Sequence, residues 1–192
     1  MIWFWVMAEG SGLQNKSDIK PFILKQLTHY DIENEQRNFP ITIVCDAIRT
    51  PENIGMCFRI SESFGVSKIY LHHNSPAPSN RKVINTARNT ITKIAHEYYT
   101  DFNATIEQLK AEGNTIIGIE ITDKSINIQD FNFKNHQKIV LLLGSERNGI
   151  ENISLVDATV NIPMYGSNSS MNVIHSLAIT LYEVTNQLAV SS

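Results

Sequence analysis

Residues 139–143 read Ile-Val-Leu-Leu-Leu, and this stretch decides the fold class. Successive side chains of a strand point to opposite faces of its sheet, so a continuous apolar run of this length must be buried on both faces. Strands of that kind occur in parallel sheets that are covered by helices. The stretch therefore predicts a central strand of a mostly parallel sheet flanked by helices.

The chain on both sides of this strand alternates between strand-like and helix-like segments. Short apolar or alternating runs predict strands at Ile41–Val44, Lys68–Leu71, Lys93–Tyr99, Thr115–Ile121 and Val160–Ile162. Apolar spacing and glycine stops predict helices at Gly55–Phe64, Lys82–Arg88 and Asn103–Glu112. Such alternation is typical of an α/β fold. We see no internal repeat or second-domain boundary, so we expect residues 17–192 to form a single domain.

The longest predicted helix lies near the C-terminus, where apolar residues recur three and four positions apart. They are Val173, Ile174, Leu177, Ala178, Leu181, Val184 and Leu188. We expect this helix to begin at about Met171, with Ser169 or Ser170 as its N-cap. The polar loop before it, residues 163–170, leads into a helix N-terminus, where free backbone N–H groups can bind a ligand.

The N-terminal residues contribute little to this interpretation. Residues 1–7 are strongly apolar, but they lack the basic segment of a signal peptide and are too short to span a membrane. Residues 1–16 are therefore interpreted as a leader or linker of unknown role, and Ser17–Asp18 predicts the start of a short helix over Asp18–Thr28. With two cysteines and no metal-binding spacing, the chain is expected in a reducing cytoplasm.

The charge of the chain is unevenly distributed. The net charge of -3 does not indicate a nucleic-acid-binding protein. The segment from Arg37 to Lys93, however, contains eight basic and three acidic residues, which gives it a local charge of +5. Such a segment can form a surface that binds phosphate groups; the alternative is a merely solvated surface.

Three polar loops follow predicted strands, at residues 46–55, 144–149 and 163–170. Ligands of open α/β sheets bind beyond the carboxyl ends of the strands, so these loops are the candidate site. The glycine fingerprint of dinucleotide-binding proteins, the P-loop, the zinc-protease motif and the serine-hydrolase motif are all absent. His72 and His73 are adjacent but lack a nearby cysteine or carboxylate partner, so no metal site is expected.

The three loops together resemble the motifs of one family, the SpoU/TrmH branch of the SPOUT-class RNA 2'-O-ribose methyltransferases. The first motif is Asn53-Ile-Gly-Met-Cys-Phe-Arg59 and the second is Leu143-Gly-Ser-Glu-Arg-Asn-Gly149. The third comprises Ile162-Pro-Met-Tyr-Gly166 and Ser170-Met-Asn-Val173. The motifs occur in the family's order, and the resemblance covers about Ile41 to Leu188.

The resemblance implies a sheet with a C-terminal deep trefoil knot, whose loops bind S-adenosyl-L-methionine, and a homodimer that joins through the final helix. By position, the implied cofactor-binding residues are Leu143, Gly144, Ile162, Met164, Ser170 and Met171. The implied catalytic residues are Arg59, Asn53, Glu146, Ser170 and Asn172. Residues Ile174-His175-Ser176 depart from the small residues usual in the family, which affects the expected packing of the final helix against the partner.

Two interpretations of Arg59 stay open at this point. Family proposals make the arginine a general base, whereas a guanidinium normally stays protonated and suits a phosphate clamp. Glu146 is expected to brace its loop by accepting backbone N–H groups. For Asn53, capping of the following helix is the structural alternative, and a capping Asn can also orient an active-site loop. For Ser170 and Asn172, the structural alternative to a catalytic role is capping of the final helix.

The resulting hypothesis is a cytoplasmic, homodimeric, metal-free RNA 2'-O-methyltransferase that uses S-adenosyl-L-methionine. Transfer RNA is the first expected substrate and ribosomal RNA is the alternative. Two other classes are a non-catalytic RNA-binding protein of the same fold and an unrelated nucleotide-binding oxidoreductase. Retention of all five catalytic-motif residues disfavours the first, and the missing glycine fingerprint disfavours the second.

Overall fold

A computed structural model describes residues 24–28 and 31–190. The chain divides into two units, residues 1–35 and 36–192. In the first unit, the backbone N–H and the hydroxyl of Thr28 donate to the carboxylate of Asp31, at 2.8 and 2.7 Å. Residues 24–28 are not helical, so the predicted helix over Asp18–Thr28 is wrong there. Its earlier residues, and the predicted leader 1–16, lie outside the described residues.

The second unit contains seven strands and four helices. The strands are β1 Phe39–Cys45, β2 Val66–His72, β3 Ala95–Tyr99, β4 Thr115–Ile119, β5 Ile126–Asn127, β6 Ile139–Leu143 and β7 Ala158–Asn161. The helices are α1 Pro51–Ser63, α2 Arg81–Ala87, α3 Phe102–Ala111 and α4 Val173–Ala189. Short 3-10 turns occur at Ile91–Lys93, Ile128–Asp130, Phe133–Asn135 and Ile153–Leu155. The strands form one sheet in the order β3-β2-β1-β6-β4-β7-β5, and all six pairs of neighbouring strands are parallel.

Strand β6 lies in the middle of the sheet, and all five of its side chains are fully buried. Ile139, Leu141 and Leu143 belong to the core on one face, whereas Val140 and Leu142 belong to the core on the other. Burying each such side chain contributes roughly 1.5–3 kcal/mol. The prediction of a parallel sheet covered on both faces is confirmed; the trefoil knot stays a prediction.

The helices lie on both faces of the sheet. Buried residues of α1, α2 and α4 pack into one core, and α3 packs into the other. In α4 the buried positions Ile174, Leu177, Leu181 and Val184 keep the predicted spacing, and Ile179 and Tyr182 are exposed. Within the described part of the chain, no helix has both the length and the apolar character needed to cross a membrane.

Several boundaries differ from those predicted. Helix α1 begins at Pro51 rather than at Gly55, because the fixed backbone angle of proline suits the first turn of a helix. Helix α4 begins at Val173, and its N-cap is Asn172 instead of Ser169 or Ser170. Strand β3 starts two residues late, after a 3-10 turn. Strand β5 was missed because its two residues are exposed and too few to show a pattern.

Candidate active site

Two of the three polar loops, residues 144–149 and 163–170, border one cavity of about 370 Å³ at the carboxyl edge of the sheet, and the loop at residues 46–55 contributes none of its lining residues. Its walls come from the end of β4, the loop after β6, the loop after β7 and the first turn of α4. They comprise residues 119–121, Gly144–Arg147, Gly149, 160–162, Met164, Ser170–Val173 and Ser176. The position agrees with the rule that ligands of parallel sheets bind beyond the carboxyl ends of the strands.

The loop after β6 is a closed turn. Ser145 and Gly149 exchange backbone hydrogen bonds of 2.9 and 3.2 Å, which form an antiparallel bridge. The Asn148 N–H donates to the Ser145 hydroxyl at 3.2 Å. A Cβ on Gly144 would lie 2.2 Å from the carbonyl carbon of Gly149, closer than real Cβ contacts. A side chain at this position would therefore force the turn open.

Glu146 braces this turn against the loop after β1. Its carboxylate accepts the backbone N–H groups of Arg49 at 3.2 Å and Thr50 at 3.1 Å. It also accepts the side-chain amide of Asn53 at 2.9 Å. Partial burial opposes ionisation, but these hydrogen bonds outweigh it and lower the pKa of Glu146. Glu146 thus contacts backbone N–H groups as expected.

Asn53 links the second motif to the third. Its amide nitrogen donates to Glu146, and its amide oxygen accepts the side-chain amide of Asn172 at 3.2 Å. The Asn172 side-chain oxygen in turn accepts the N–H of Ile174 at 2.8 Å and caps α4. The capping alternative for Asn53 does not apply, because Thr50 is the N-cap of α1. The Glu146–Asn53–Asn172 chain therefore joins all three motifs.

A second connection comes from Asp46, which is 1% exposed. One of its carboxylate oxygens accepts the N–H of Glu151 at 2.7 Å, and the other has no hydrogen-bond partner among the described residues. Burial raises the pKa of Asp46. Asp46 thus ties the end of β1 to the chain that leaves the 144–149 turn.

The loop before α4 differs from the braced turn. Within the described residues, no hydrogen bond joins the main chain of residues 164–171 to the protein. Tyr165 is 95% exposed, and a Cβ on Gly166 would meet nothing within 4 Å. Backbone N–H and C=O groups of this loop are therefore available to a ligand in the cavity.

Glu120 is a cavity residue that the sequence interpretation missed. One carboxylate oxygen accepts the N–H of Ile121 at 3.0 Å, and the other has no protein partner within the described residues. The prediction had extended the strand to Ile121, but β4 ends at Ile119. The position of Glu120 directly after a parallel strand is the signal that could have identified it as a site residue. Arg147, Asn161 and Ser176 also line the cavity and were not predicted.

The structure brings most of the predicted site residues together. Five predicted cofactor-binding residues line the cavity: Gly144, Ile162, Met164, Ser170 and Met171. The sixth, Leu143, is fully buried and is not part of the cavity wall. Of the predicted catalytic residues, Glu146, Ser170 and Asn172 line the cavity, and Asn53 reaches it through hydrogen bonds. Arg59 is exposed on α1 and does not line the cavity of its own chain.

A metal centre and a cysteine site were also considered. The described residues contain no group of three or more His, Cys, Asp or Glu side chains arranged to hold a metal ion. Cys45 and Cys57 are buried free thiols with their sulfur atoms 3.7 Å apart. The mutual hydrogen bond and burial raise the pKa of Cys45, so this thiol is held in its protonated form.

Comparison with known protein families identifies residues 40–182 as a match to the SpoU rRNA Methylase family. Similar curated proteins include the 23S rRNA (guanosine-2'-O-)-methyltransferase RlmB of Vibrio parahaemolyticus, which is 27% identical over 86% of this chain and 67% of its own length. The RlmB of Blochmanniella floridana is 28% identical over 84% of this chain and 63% of its own length. The tRNA (guanosine(18)-2'-O)-methyltransferase of Saccharomyces cerevisiae is 28% identical over 95% of this chain and 13% of its own length.

Solved structures of related proteins share the fold. The SpoU methyltransferase AviRb from Streptomyces viridochromogenes, in complex with the cofactor AdoMet, matches with a TM-score of 0.71 and 23% identity. The match covers 81% of this chain and 60% of AviRb. The A. aeolicus TrmH/SpoU tRNA modifying enzyme matches with a TM-score of 0.73 and 21% identity, over 82% of this chain and 79% of its own. The chain thus spans about two thirds of the length of the RlmB relatives and less of AviRb.

Proposed function

The chain belongs to the SpoU rRNA Methylase family, and on that premise we propose that it transfers a methyl group from S-adenosyl-L-methionine to a ribose 2'-hydroxyl of RNA. The observation that carries the proposal is the hydrogen-bonded chain of Glu146, Asn53 and Asn172 beside the cavity. It connects the three motifs through which the sequence resembles this family. An oxidoreductase is disfavoured, since neither the motifs nor the family support one.

The cavity suits S-adenosyl-L-methionine in size and chemistry. Its volume lies within the range of small-molecule sites, roughly 300–1,000 Å³. The main-chain groups of residues 164–171 that have no protein partner offer hydrogen-bond donors and acceptors to a purine edge. Gly144 lies close to Gly149, and a side chain at residue 144 would fill the space that the two glycines leave for a ligand. Gly144, Ile162, Met164, Ser170 and Met171 would hold the cofactor, which supplies a methyl group on a sulfonium centre. Leu143 supports them from beneath.

The protein contributes mainly orientation. Methyl transfer to a hydroxyl is an in-line displacement, so holding the two reactants in line removes much of the barrier. Glu146 is occupied by three N–H donors, which suits bracing rather than proton transfer. Ser170 lines the cavity without a hydrogen bond to the described protein, so its hydroxyl is available to a ligand.

Arg59 acts in this proposal as a clamp on an RNA phosphate that positions the ribose. A guanidinium presents donors only and matches phosphate geometry. A base role for Arg59, activated by the bound RNA, is the competing hypothesis. Arg59 does not line the cavity of its own chain, and this position is compatible with an active site formed by residues from two copies of the chain.

A homodimer through α4 is part of the proposal. Helix α4 is rich in apolar residues, and two of them are exposed: Ile179 is 41% exposed and Tyr182 is 63% exposed. Exposed apolar side chains of this size favour a protein contact. Tyr182→Asp should convert a dimer to a monomer, measured by light scattering coupled to size-exclusion chromatography; a wild-type monomer would contradict the proposed assembly.

The proposed substrate is RNA in the cytoplasm, with transfer RNA tested first and ribosomal RNA as the alternative. Relatives named for each of these RNAs are among the similar proteins, and several are named for guanosine. A guanosine ribose is therefore the proposed acceptor. Only RNA carries the 2'-hydroxyl that this reaction needs.

The proposal is tested by incubating the chain with methyl-labelled S-adenosyl-L-methionine and unmodified transfer or ribosomal RNA. Label on a ribose 2'-oxygen is expected, and mapping the nucleotide identifies the substrate. Arg59→Gln should abolish transfer. Arg59→Lys, which keeps the charge, should retain part of the activity with an unchanged pH profile if Arg59 is a clamp, and should shift that profile if it is a base.

The matched control is Lys134→Gln, which removes one exposed positive charge from a 3-10 turn outside the three motifs. It should leave methyl transfer unchanged. Cofactor binding without transfer to any RNA would instead support a non-catalytic RNA-binding protein. Failure to bind S-adenosyl-L-methionine would contradict the enzymatic proposal itself.

A further inference from the structure

The basic residues between Arg37 and Lys93 fall into two groups. All three lysines of this segment form ion pairs: Lys68 with Glu97, Lys82 with Glu52 and Lys93 with Glu62, at 2.9, 3.1 and 2.9 Å. Two of the three acidic residues of the segment, the exposed Glu52 and the half-buried Glu62, are used in these pairs. The third acid of the segment, Asp46, is buried. The excess positive charge seen in the sequence therefore comes from the arginines.

Five arginines are exposed and form no ion pair within the described part of the chain. They are Arg49, Arg59, Arg81, Arg88 and Arg147. Lys68, Lys82, Lys93 and Lys110, by contrast, each pair with a carboxylate. An arginine without a carboxylate keeps its planar set of donors free, and that geometry matches a phosphate.

The five arginines lie on elements that adjoin the cavity or pack on one another. The Arg49 N–H is bonded to Glu146, and Arg147 follows Glu146 in the cavity wall. Arg59 lies on α1, the helix that begins beside this loop. Helix α2 packs closely on α1, since a Cβ on Gly55 would lie 2.6 Å from the Val83 carbonyl oxygen.

The two remaining arginines lie at the two ends of α2. Arg81 is its first residue, next to Lys82, which pairs with Glu52 in the first turn of α1. Arg88 caps its C-terminus with a left-handed backbone, φ 55°. A non-glycine residue in that conformation is uncommon and pays a cost in backbone energy. The elements that carry these arginines therefore form a continuous series from the cavity wall through α1 to α2.

We propose that Arg49, Arg59, Arg81, Arg88 and Arg147 form a docking surface for the phosphate backbone of the substrate RNA. This arginine surface rests on the proposed function and assigns RNA to one face of the chain. Arg49 and Arg147 contact phosphates next to the reacting ribose. Arg81 and Arg88 contact phosphates farther along the RNA and add affinity without touching the cofactor cavity.

The test measures RNA binding separately from catalysis. The double variant Arg81→Gln, Arg88→Gln should bind unmodified transfer RNA about tenfold more weakly at low salt. The slope of log affinity against log salt concentration should become less steep by about one to two units. Each lost phosphate contact reduces the number of counterions that the RNA releases on binding. Binding of S-adenosyl-L-methionine, measured by calorimetry, and the thermal unfolding temperature should not change.

The matched control is the double variant Lys124→Gln, Lys134→Gln. It removes the same charge from two exposed lysines that form no ion pair within the described residues, in the segment between β4 and β6. RNA affinity and salt slope should stay close to wild type. An equal loss in both double variants would overturn the arginine surface, since net charge alone would explain it.

Failure of this inference can be separated from failure of the proposed function. If the wild type methylates RNA and the Arg81, Arg88 double variant binds that RNA as tightly as wild type, the arginine surface is wrong and the function stands. If the wild type neither binds nor methylates transfer or ribosomal RNA, both are wrong. A loss confined to the arginine variant, with cofactor binding intact, supports the surface.

Discussion

The turn at residues 144–149 and the loop at residues 164–171 border the same cavity but are held in different ways. The turn is closed by two backbone hydrogen bonds between Ser145 and Gly149, and Glu146 accepts three further N–H groups. Among the residues that the structure describes, the loop has no main-chain hydrogen bond to the protein. One wall of the cavity is therefore fixed by the protein, and the other keeps its polar groups for a ligand.

This difference separates two tasks of the site. A braced wall keeps its geometry whether or not a ligand is bound, which reduces the reorganisation needed for catalysis. A wall with unpaired main-chain groups gains its hydrogen bonds when the ligand arrives. Substitutions in the braced turn should thus lower the stability of the protein, whereas those in the loop should mainly change ligand binding.

The largest expected effect is that of Gly144→Ala. Its Cβ would lie 2.2 Å from the Gly149 backbone, so the turn must open, and we expect a loss of about 3 kcal/mol in the free energy of unfolding. Urea denaturation measures it. The control is Gly166→Ala in the loop, where a Cβ meets nothing within 4 Å and the change should stay below about 0.5 kcal/mol. Equal effects at the two glycines would contradict the comparison.

Glu146→Gln should have the next largest effect. The amide replaces an acceptor oxygen with a donor that faces backbone N–H groups, and we expect a loss of about 1.5 kcal/mol, reduced by the partial exposure of the side chain. Because the folded pKa of Glu146 lies below its ordinary value of 4.5, the stabilisation is complete above that pH. It is lost as the pH falls through the folded pKa.

The measurement for Glu146 is therefore the stability of wild type and variant at several pH values. The difference should be largest near neutral pH and should shrink in acid, once the wild-type carboxylate takes up a proton. A difference that is constant with pH would show that the charge of Glu146 does not contribute. Glu97→Gln, an exposed carboxylate on β3, is the control.

Asn172→Ala should cost about 1 kcal/mol in the free energy of unfolding, because it removes both the cap of α4 and the contact with Asn53. Ser170→Ala, two residues earlier, should leave stability nearly unchanged. Ser170→Ala should instead weaken cofactor binding or methyl transfer, since Ser170 lines the cavity. Thermal unfolding and calorimetric titration distinguish these results; a stability loss at Ser170 would make it the cap after all.

The smallest expected effect concerns Glu120, whose second carboxylate oxygen has no protein partner within the described residues. Glu120→Gln should weaken binding of S-adenosyl-L-methionine about threefold, the effect of one ordinary hydrogen bond. Calorimetry with S-adenosylhomocysteine, which lacks the positive charge, distinguishes a lost hydrogen bond from a lost charge attraction. Equal loss for both compounds indicates a hydrogen bond, and a smaller loss for S-adenosylhomocysteine indicates charge attraction. Asp123→Asn, exposed nearby, should have no effect.

The predictions from sequence succeeded where a local pattern carried the information. The run at residues 139–143 identified a strand buried on both faces, and the motif positions identified seven residues that line the cavity. They failed at boundaries, as at the N-cap of α4. The structure selects Asn172 among the candidate caps, because its side-chain oxygen accepts the Ile174 N–H. Ser169, Ser170 and Asn172 are all good capping residues, so propensity alone does not choose among them.

The sequence by itself determined the parallel sheet, the family and the three loops of the site, because apolar runs and motif spacing are properties of neighbouring residues. Only the tertiary structure decided which charges are paired and which polar groups are free. Glu146 meets Asn53 across 93 residues and Asn172 meets Asn53 across 119. Lys68, Lys82 and Lys93 pair with carboxylates, whereas Arg49, Arg59, Arg81, Arg88 and Arg147 form no ion pair within the described residues. Such contacts depend on how the sheet brings distant loops to one edge, which no local pattern encodes.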